Sequence, residues 1–194
     1  MRIRFAVAVA AALFARPAWA GWEQEISAFD QGRLASLDQA RAQGLAQADS
    51  GDASSRAAAH SVLDPQSRPI SAQELLGTWR CRVMKLGGFT PAIVYDWFAC
   101  RFRQTANGLY FEKLTGTLLI SGYADPHDGG FIFLGAWRQP DEPPRPYSGG
   151  PGVGMHTSSA DAPGAITGIG PGRARIEFPY PVIESAFDVI ELVR

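Results

Sequence analysis

Along residues 22–48 the apolar positions recur at helical spacing. Trp22, Ile26, Phe29, Leu34, Leu37, Leu45 and Ala48 fall on one broad stripe, and Glu23, Glu25, Asp30, Asp38 and Arg41 lie mostly off it. That is the pattern of an amphipathic helix laid on a core. The alanines and glutamines between them favour the helix, Gly32 and Gly44 weaken it, and Asp49-Ser50-Gly51-Asp52 ends it. A second, short helix is predicted over 54–63, stopped by Asp64-Pro65 because the residue before a proline avoids the α region. Ser71-Ala-Gln-Glu74 fits a capping box, which predicts one helical turn just before Leu75-Leu76-Gly77-Thr78-Trp79.

From residue 78 onward the period changes. Short runs rich in Val, Ile, Phe, Tyr and Thr alternate with clusters of Gly, Pro and Asp, the signature of antiparallel strands and turns. The predicted strands are 78–84, 94–103, 109–114, 117–123, 131–138, a weak one over 153–158, then 165–169, 173–178 and 185–193. Asn107-Gly108, Asp128-Gly129-Gly130 and Gly170-Pro171-Gly172 supply turns. The proline-rich stretch 139–151 reads as a long exposed loop, since proline cannot donate to a ladder. The organisation is therefore a helical arm over 21–70 and a mainly β domain over 71–194.

The first twenty residues belong to neither part. Arg2 and Arg4 precede the apolar run from Phe5 to Ala15, Pro17 breaks it, and Ala18-Trp19-Ala20 offers small residues where a signal peptidase reads. The run of eleven is too short for a bilayer core, which needs about 20 residues. A signal peptide cleaved after Ala20, and hence a periplasmic or secreted protein, is the expectation. No Cys follows the cleavage point and no later apolar run is long enough to span a membrane, so the mature chain is read without a lipid anchor or transmembrane segment. Cleavage removes three arginines and no acid, moving the formal charge from −1 to −4. Such a chain, with no block of like charge, is a poor partner for nucleic acid or anionic lipid.

An exported context predicts a disulfide between the two cysteines, Cys81 and Cys100. If they sit directly opposite each other on a hairpin, Trp79 faces Phe102, Val83 faces Phe98, and an apolar face surrounds the bridge. The same register gathers Arg80, Arg82, Arg101 and Arg103 on the other face, with Arg80 opposite Arg101. Like charges there require an explanation. Either an acidic element such as the N-terminal helix or Glu112 lies against them, or the face binds an anion.

Gly77-Thr78-Trp79 after a helical turn resembles the opening of calycin-type barrels such as lipocalins. That resemblance implies that Trp79 closes the barrel base under an arginine, with Arg194 as partner and Arg173 or Arg175 as substitutes. An antiparallel barrel of about eight strands is the architecture expected, with an open β-sandwich as the alternative. Over residues 22–194 the chain also resembles domain-of-unknown-function family 4893, a family of secreted Gram-negative bacterial proteins. The resemblance lies in Gly77-Thr-Trp-Arg-Cys-Arg-Val-Met-Lys85 with Gly87-Gly88, Phe98-Ala-Cys-Arg101, Phe111-Glu-Lys-Leu-Thr-Gly116, Phe133-Leu-Gly-Ala136 and Glu184-Ser-Ala-Phe-Asp-Val-Ile-Glu-Leu192. It implies a secreted single-domain protein and brings no catalytic residues.

Catalytic motifs are weak. His60 reads as a surface residue, and His127 sits in Asp125-Pro-His-Asp128, a turn with no second histidine near it. His156 lies beside Ser158 and Ser159 without a nucleophile elbow. The glycine-rich 149–154 lacks the Lys-Ser/Thr of a phosphate loop. Glu112, Glu177, Glu184, Asp188 and Glu191 alternate with apolar residues and read as the solvated face of strands. No metal, cofactor or catalytic set is assigned. The leading expectation is a binder of a small apolar or amphipathic ligand, using Trp79, Phe98 and Phe102 near the closed end and the four arginines. The alternative is a cell-envelope protein-interaction module like the periplasmic lysozyme inhibitors, whose loop Ser121-Gly-Tyr123 faintly resembles. A hydrolase comes third.

Overall fold

A computed structural model describes residues 21–150 and 160–194. The expected signal peptide, the weak strand over 153–158 and the His156 region lie outside them. The β portion is built from β1 (Gly77–Leu86), β2 (Ala92–Val94), β3 (Phe98–Thr105), β4 (Gly108–Lys113), β5 (Leu119–His127), β6 (Gly130–Arg138), β7 (Asp161–Gly170), β8 (Arg173–Pro179) and β9 (Phe187–Val193). β1 pairs antiparallel with β2, β3 and β9, and from β3 to β9 each strand pairs antiparallel with the next. Eight strands thus form a closed barrel, with β2 as an additional short strand on the far end of β1.

Alternation along the strands sorts side chains into two cores. Inside the barrel, Phe102, Phe111, Phe133 and Phe178 form a chain of ring contacts at centroid distances of 4.8, 5.8 and 6.0 Å. Outside it, Met84, Leu86, Phe187 and Val189 pack with Ala40, Ala48, Ala59, Val62 and Leu63 of the arm. One end of the barrel is closed by residues 68–76. Arg68 N–H donates to the Gly168 carbonyl and Ile70 N–H to that of Gly129, each at 2.8 Å. Leu75, on the one-turn helix α5 (Ala72–Leu75), is fully buried in the barrel core. The Ser71–Glu74 capping box that starts this turn is formed.

The arm departs from its pattern. The single helix expected over 22–48 is three: α1 (Trp22–Glu25), α2 (Ala28–Ala35) and α3 (Leu37–Ala48). Ser27 accounts for one break, because its hydroxyl accepts the Asp30 N–H and caps α2. The α4 helix (Ala53–Leu63) starts at Asp52, whose carboxylate accepts the Ser54 and Ser55 N–H groups. The buried face is also not the large apolar stripe. Phe29 is 41% exposed, while Asp30, Arg33, Ala40, Gly44 and Ala48 are buried. Small residues four apart let α3 lie close on the barrel; a Cβ at Gly44 would sit 2.7 Å from that of Phe187. Among the described residues no helix is long and apolar enough to cross a membrane.

The hairpin register is shifted by two residues from expectation. Cys81 lies opposite Phe98 and Trp79 opposite Cys100, so the Cys81–Cys100 disulfide joins diagonal neighbours with Cα atoms 5.9 Å apart. The loop over 87–91 sets Leu86 opposite Ala92, and the irregular residues 95–97 then add one residue before β3. The predicted strand 94–103 is interrupted there. Because the side-chain period is two, a slip of two preserves both faces. A bridge closing a loop of this size contributes about 3 kcal/mol.

The acids read as solvated are another correction. Glu177, Asp188 and Glu191 are 0, 4 and 3% exposed. Glu177 and Glu191 do lie on the outer face of β8 and β9, but helices cover it; Asp188 lies on the inner face with Ile190 and Leu192. Glu177 accepts two hydrogen bonds from Arg41 of α3, at 2.6 and 3.1 Å, and pairs with Arg175 at 3.0 Å. Glu191 takes Arg82 at 2.7 Å and Arg173 at 2.9 Å. Arg175 in turn donates to the carbonyls of Val62 and Pro65, satisfying the end of α4.

Candidate functional site

The residues singled out from sequence occupy three places. Trp79 and Phe102 are buried in the barrel core at 3 and 1% exposure. The Trp79 indole N–H donates to the Leu75 carbonyl at 2.6 Å, and the Arg194 guanidinium lies 4.6 Å over its ring while donating to the Glu74 and Leu76 carbonyls. Arg80, Arg82, Arg101 and Arg103 share the outer face. In the observed register Arg80 is opposite Ala99, not Arg101, and Arg101 is opposite Thr78. Arg101 and Arg103 reach Glu112 at 2.7 and 3.1 Å, Arg82 reaches Glu191, and Arg80 and Arg82 both stack 4.8 Å from the Trp97 ring. Trp79, Arg80, Trp97 and Phe98 border a shallow depression of about 340 Å³ on this side.

Phe98 also faces the opposite end of the barrel, where two adjoining clefts lie. Strand direction explains the asymmetry. The residue 68–76 segment covers the end at which β1 begins, while the end reached by Leu86, Lys113, Leu119, Arg138, Asp161, Pro179 and Phe187 is left to loops. A cleft of about 430 Å³ is lined there by Trp137, Phe178, Leu118, Arg138, Lys85 and Asp188, among others. A second of about 300 Å³ shares Lys85, Leu118, Trp137 and Glu184 and adds Phe98, Tyr95 and Lys113. The Trp137 and Phe178 rings, 6.2 Å apart, continue the aromatic chain of the core up to this mouth.

Four segments frame it. The β1–β2 hairpin projects past the barrel, with Met84 and Leu86 buried against the helices; Lys85 and Ile93 are paired on its other face. Its turn touches the loop over 180–186. Phe89 N–H donates to the Glu184 carbonyl at 3.1 Å, and the Lys85 ammonium bonds the Glu184 carboxylate. Gly88, at φ +84°, is required here, since a Cβ would lie 2.1 Å from the Glu184 carbonyl oxygen. Tyr180 and Glu184 themselves adopt φ of 44° and 79° without being glycine. Backbone strain of this kind concentrates at functional sites.

The turn over 114–118 wraps the Lys113 ammonium, which donates to the Thr115 and Leu118 carbonyls at 2.8 and 2.7 Å and sits 3.7 Å from the Phe98 ring centroid. Burial lowers its pKa to about 8. The stretch 139–150 is the mostly exposed loop expected, and side-chain bonds tie it down as a strap. The Tyr147 hydroxyl donates to Asp30 at 2.6 Å and accepts the Ser27 N–H, while Ser148 donates to Asp161 through N–H and hydroxyl at 3.0 and 2.6 Å. Asp30 also holds Arg33 at 2.8 Å. Burial raises the pKa of Tyr147 to about 12 and raises that of Asp161.

Asp188 is the chemically unusual group. It is opposite Lys85 on the β1–β9 ladder and accepts the Ser185 hydroxyl at 2.5 Å. Burial pushes its pKa up to about 6, against the pull of Ser185 and Lys85. A buried carboxylate perturbed in this way, in a cleft and beside a lysine, marks a functional-site candidate.

Other sequence candidates resolve differently. Ser121-Gly-Tyr123 lies within β5, with Ser121 buried, and is not a protruding loop. His127 ends β5 and packs edge-on against Trp22 at 5.2 Å. His60 bridges Asp49 and Asp64 at 2.8 and 2.9 Å. Among the described residues no three His, Cys, Asp or Glu side chains are grouped to hold a metal. Sequence reasoning missed Lys85, Lys113, Trp137, Arg138 and the inward Asp188. The available signal was that each stands at the same end of its strand.

Fold and cleft together define a closed antiparallel β-barrel, plugged at one end and open through a charged aromatic mouth at the other. The chain belongs to the family described as Domain of unknown function (DUF4893), whose family model matches residues 22–192. Neither the curated proteins nor the solved structures provide a match.

Proposed function

We propose that this is an exported binding protein that holds a small amphipathic molecule at the open mouth of its barrel. One observation carries the reading. The barrel core is filled by phenylalanines up to Phe178, and the space left above it, about 430 Å³, joins apolar Trp137, Phe178 and Leu118 to buried Asp188 and half-buried Lys85. Small-molecule sites have this make-up, a mostly apolar concavity with a few placed polar groups and a volume of roughly 300–1,000 Å³. Residues 1–20, read as a signal peptide, support work in the periplasm or outside the cell, and the Cys81–Cys100 disulfide is consistent with it. The calycin-type reading of the barrel is supported by Gly77-Thr78-Trp79 behind α5 and by Arg194 over Trp79.

Native mass spectrometry of the protein recovered from the periplasm of a Gram-negative host tests the proposal. The expected result is a chain beginning at Gly21 that carries a small non-covalent adduct. A bare chain overturns the binding reading, and a full-length chain retained in the cytoplasm overturns export. A protein partner in the envelope is the second reading, favoured by Phe89, which is 86% exposed at the hairpin tip beside the mouth. A co-purifying protein in the same spectrum selects it.

A further inference from the structure

We propose that the molecule taken at the mouth has an anionic head, such as a carboxylate, on a single apolar body. Arg138 receives the head, and Trp137, Phe178 and Leu118 receive the body. This rests on the reading of the mouth as a ligand site.

The sign of the head follows from how the cleft's charges are already used. Each acid has a donor from the protein. Asp161 accepts from Ser148, Asp188 from Ser185, Glu184 from Lys85, and Glu142 from the Gln139 N–H at 2.9 Å. A cationic head would have to displace one of these. Among the cations, Arg33 is committed to Asp30 and the Pro179 carbonyl. Arg138 differs. Its Nη1 donates to the Gln139 and Glu142 carbonyls at 3.1 and 2.7 Å, which anchors the start of the strap. No carboxylate pairs with it among the described residues, and its Nε is buried without an acceptor. A buried N–H left in that state costs about 1–3 kcal/mol, and native structures rarely tolerate it. The Nε–Nη2 edge of a guanidinium is the fork that matches a carboxylate with two parallel bonds.

Size limits the body. A cleft of about 430 Å³ floored by two aromatic rings suits one chain or one ring system and is too small for a two-chain lipid.

The test is a head-group series on the mature protein, followed by tryptophan fluorescence. Dodecanoate, dodecanol and dodecyltrimethylammonium, all below their micelle concentrations, share one apolar chain. Dodecanoate is expected to bind at least about tenfold more tightly than the other two, the effect of a charge-assisted bond. Arg138→Gln is expected to abolish the preference for dodecanoate over dodecanol. Equal binding of dodecanoate and dodecanol by the unmodified protein overturns the head-group assignment and leaves the amphiphile reading standing. Binding of none of the three overturns both. Retention on vesicles of an anionic phospholipid without dodecanoate binding overturns the single-chain assignment. The ranking on the unmodified protein needs no variant, so a folding defect in Arg138→Gln does not blunt the test.

Discussion

Replacing Glu177 with alanine removes a carboxylate that receives guanidinium groups from two layers of the molecule. Its side chain is 1% exposed and is bound by Arg41 of α3 and by Arg175 of its own strand. Breaking a buried pair by deleting one partner costs about 3–5 kcal/mol, because the remaining charge is stranded. Neither arginine is fully stranded here. Arg175 keeps the Val62 and Pro65 carbonyls and the Ser67 hydroxyl at 2.8–3.0 Å, and Arg41 keeps Asp38 at 2.8 Å with its side chain 23% exposed. The expected loss is therefore at the bottom of the range, about 3 kcal/mol. With a urea dependence of about 2 kcal/mol/M, the unfolding midpoint falls by about 1.5 M. Urea melts of the oxidised chain from residue 21 onward, read by fluorescence, measure it. A cycle with Arg41→Met isolates the contact between arm and barrel. A loss under about 0.5 kcal/mol, the level of an ordinary surface change, refutes the claim that the arm is clamped through this carboxylate.

Three further outcomes follow from the same geometry. Gly44→Ala should lower Tm, because overpacking against Phe187 costs about 1–3 kcal/mol and outweighs a helix-propensity gain of about 1 kcal/mol; a higher Tm would show that α3 does not approach β9 so closely. The His60 pKa is raised by its bonds to Asp49 and Asp64, so its stabilisation is complete below the unfolded value of about 6.5 and is lost as pH rises through the folded value. The Tm advantage of the natural chain over His60→Ala should shrink across that window, and a pH-independent difference would count against the bridge. Asp188 has a raised pKa of about 6, so the folded state binds its proton more tightly than the unfolded chain does, and stability falls as pH rises from about 4 to about 6. Asp188→Asn should flatten that slope and raise Tm at neutral pH; an unchanged slope would mean the group is not desolvated.

The barrel strands were legible because two-residue alternation and Gly-, Asn- and Asp-rich turns are local signals. Their register was less so. A disulfide between diagonal neighbours looks the same in sequence as one between direct partners, and the extra residue over 95–97 has no compositional mark. What covers a strand's outer face was not legible at all. Glu177 and Glu191 alternate as a solvated face would, yet helices lie over them, and the helices use small residues there while Phe29 stays outside. The mouth was illegible for a topological reason. Lys85, Lys113, Trp137, Asp161 and Asp188 come from five strands and meet only because antiparallel strands bring alternate ends together.

The central claim is that ligand enters at the mouth and not at the plugged end, and the indole N–H signals of the tryptophans report on both. In ¹H–¹⁵N spectra of residues 21–194 titrated with dodecanoate, the Trp137 indole signal should move saturably. The Trp79 signal, held by the Leu75 carbonyl beneath Arg194, should stay in place. Movement of Trp79 with Trp137 unchanged would contradict the account and put the site at the base of the barrel.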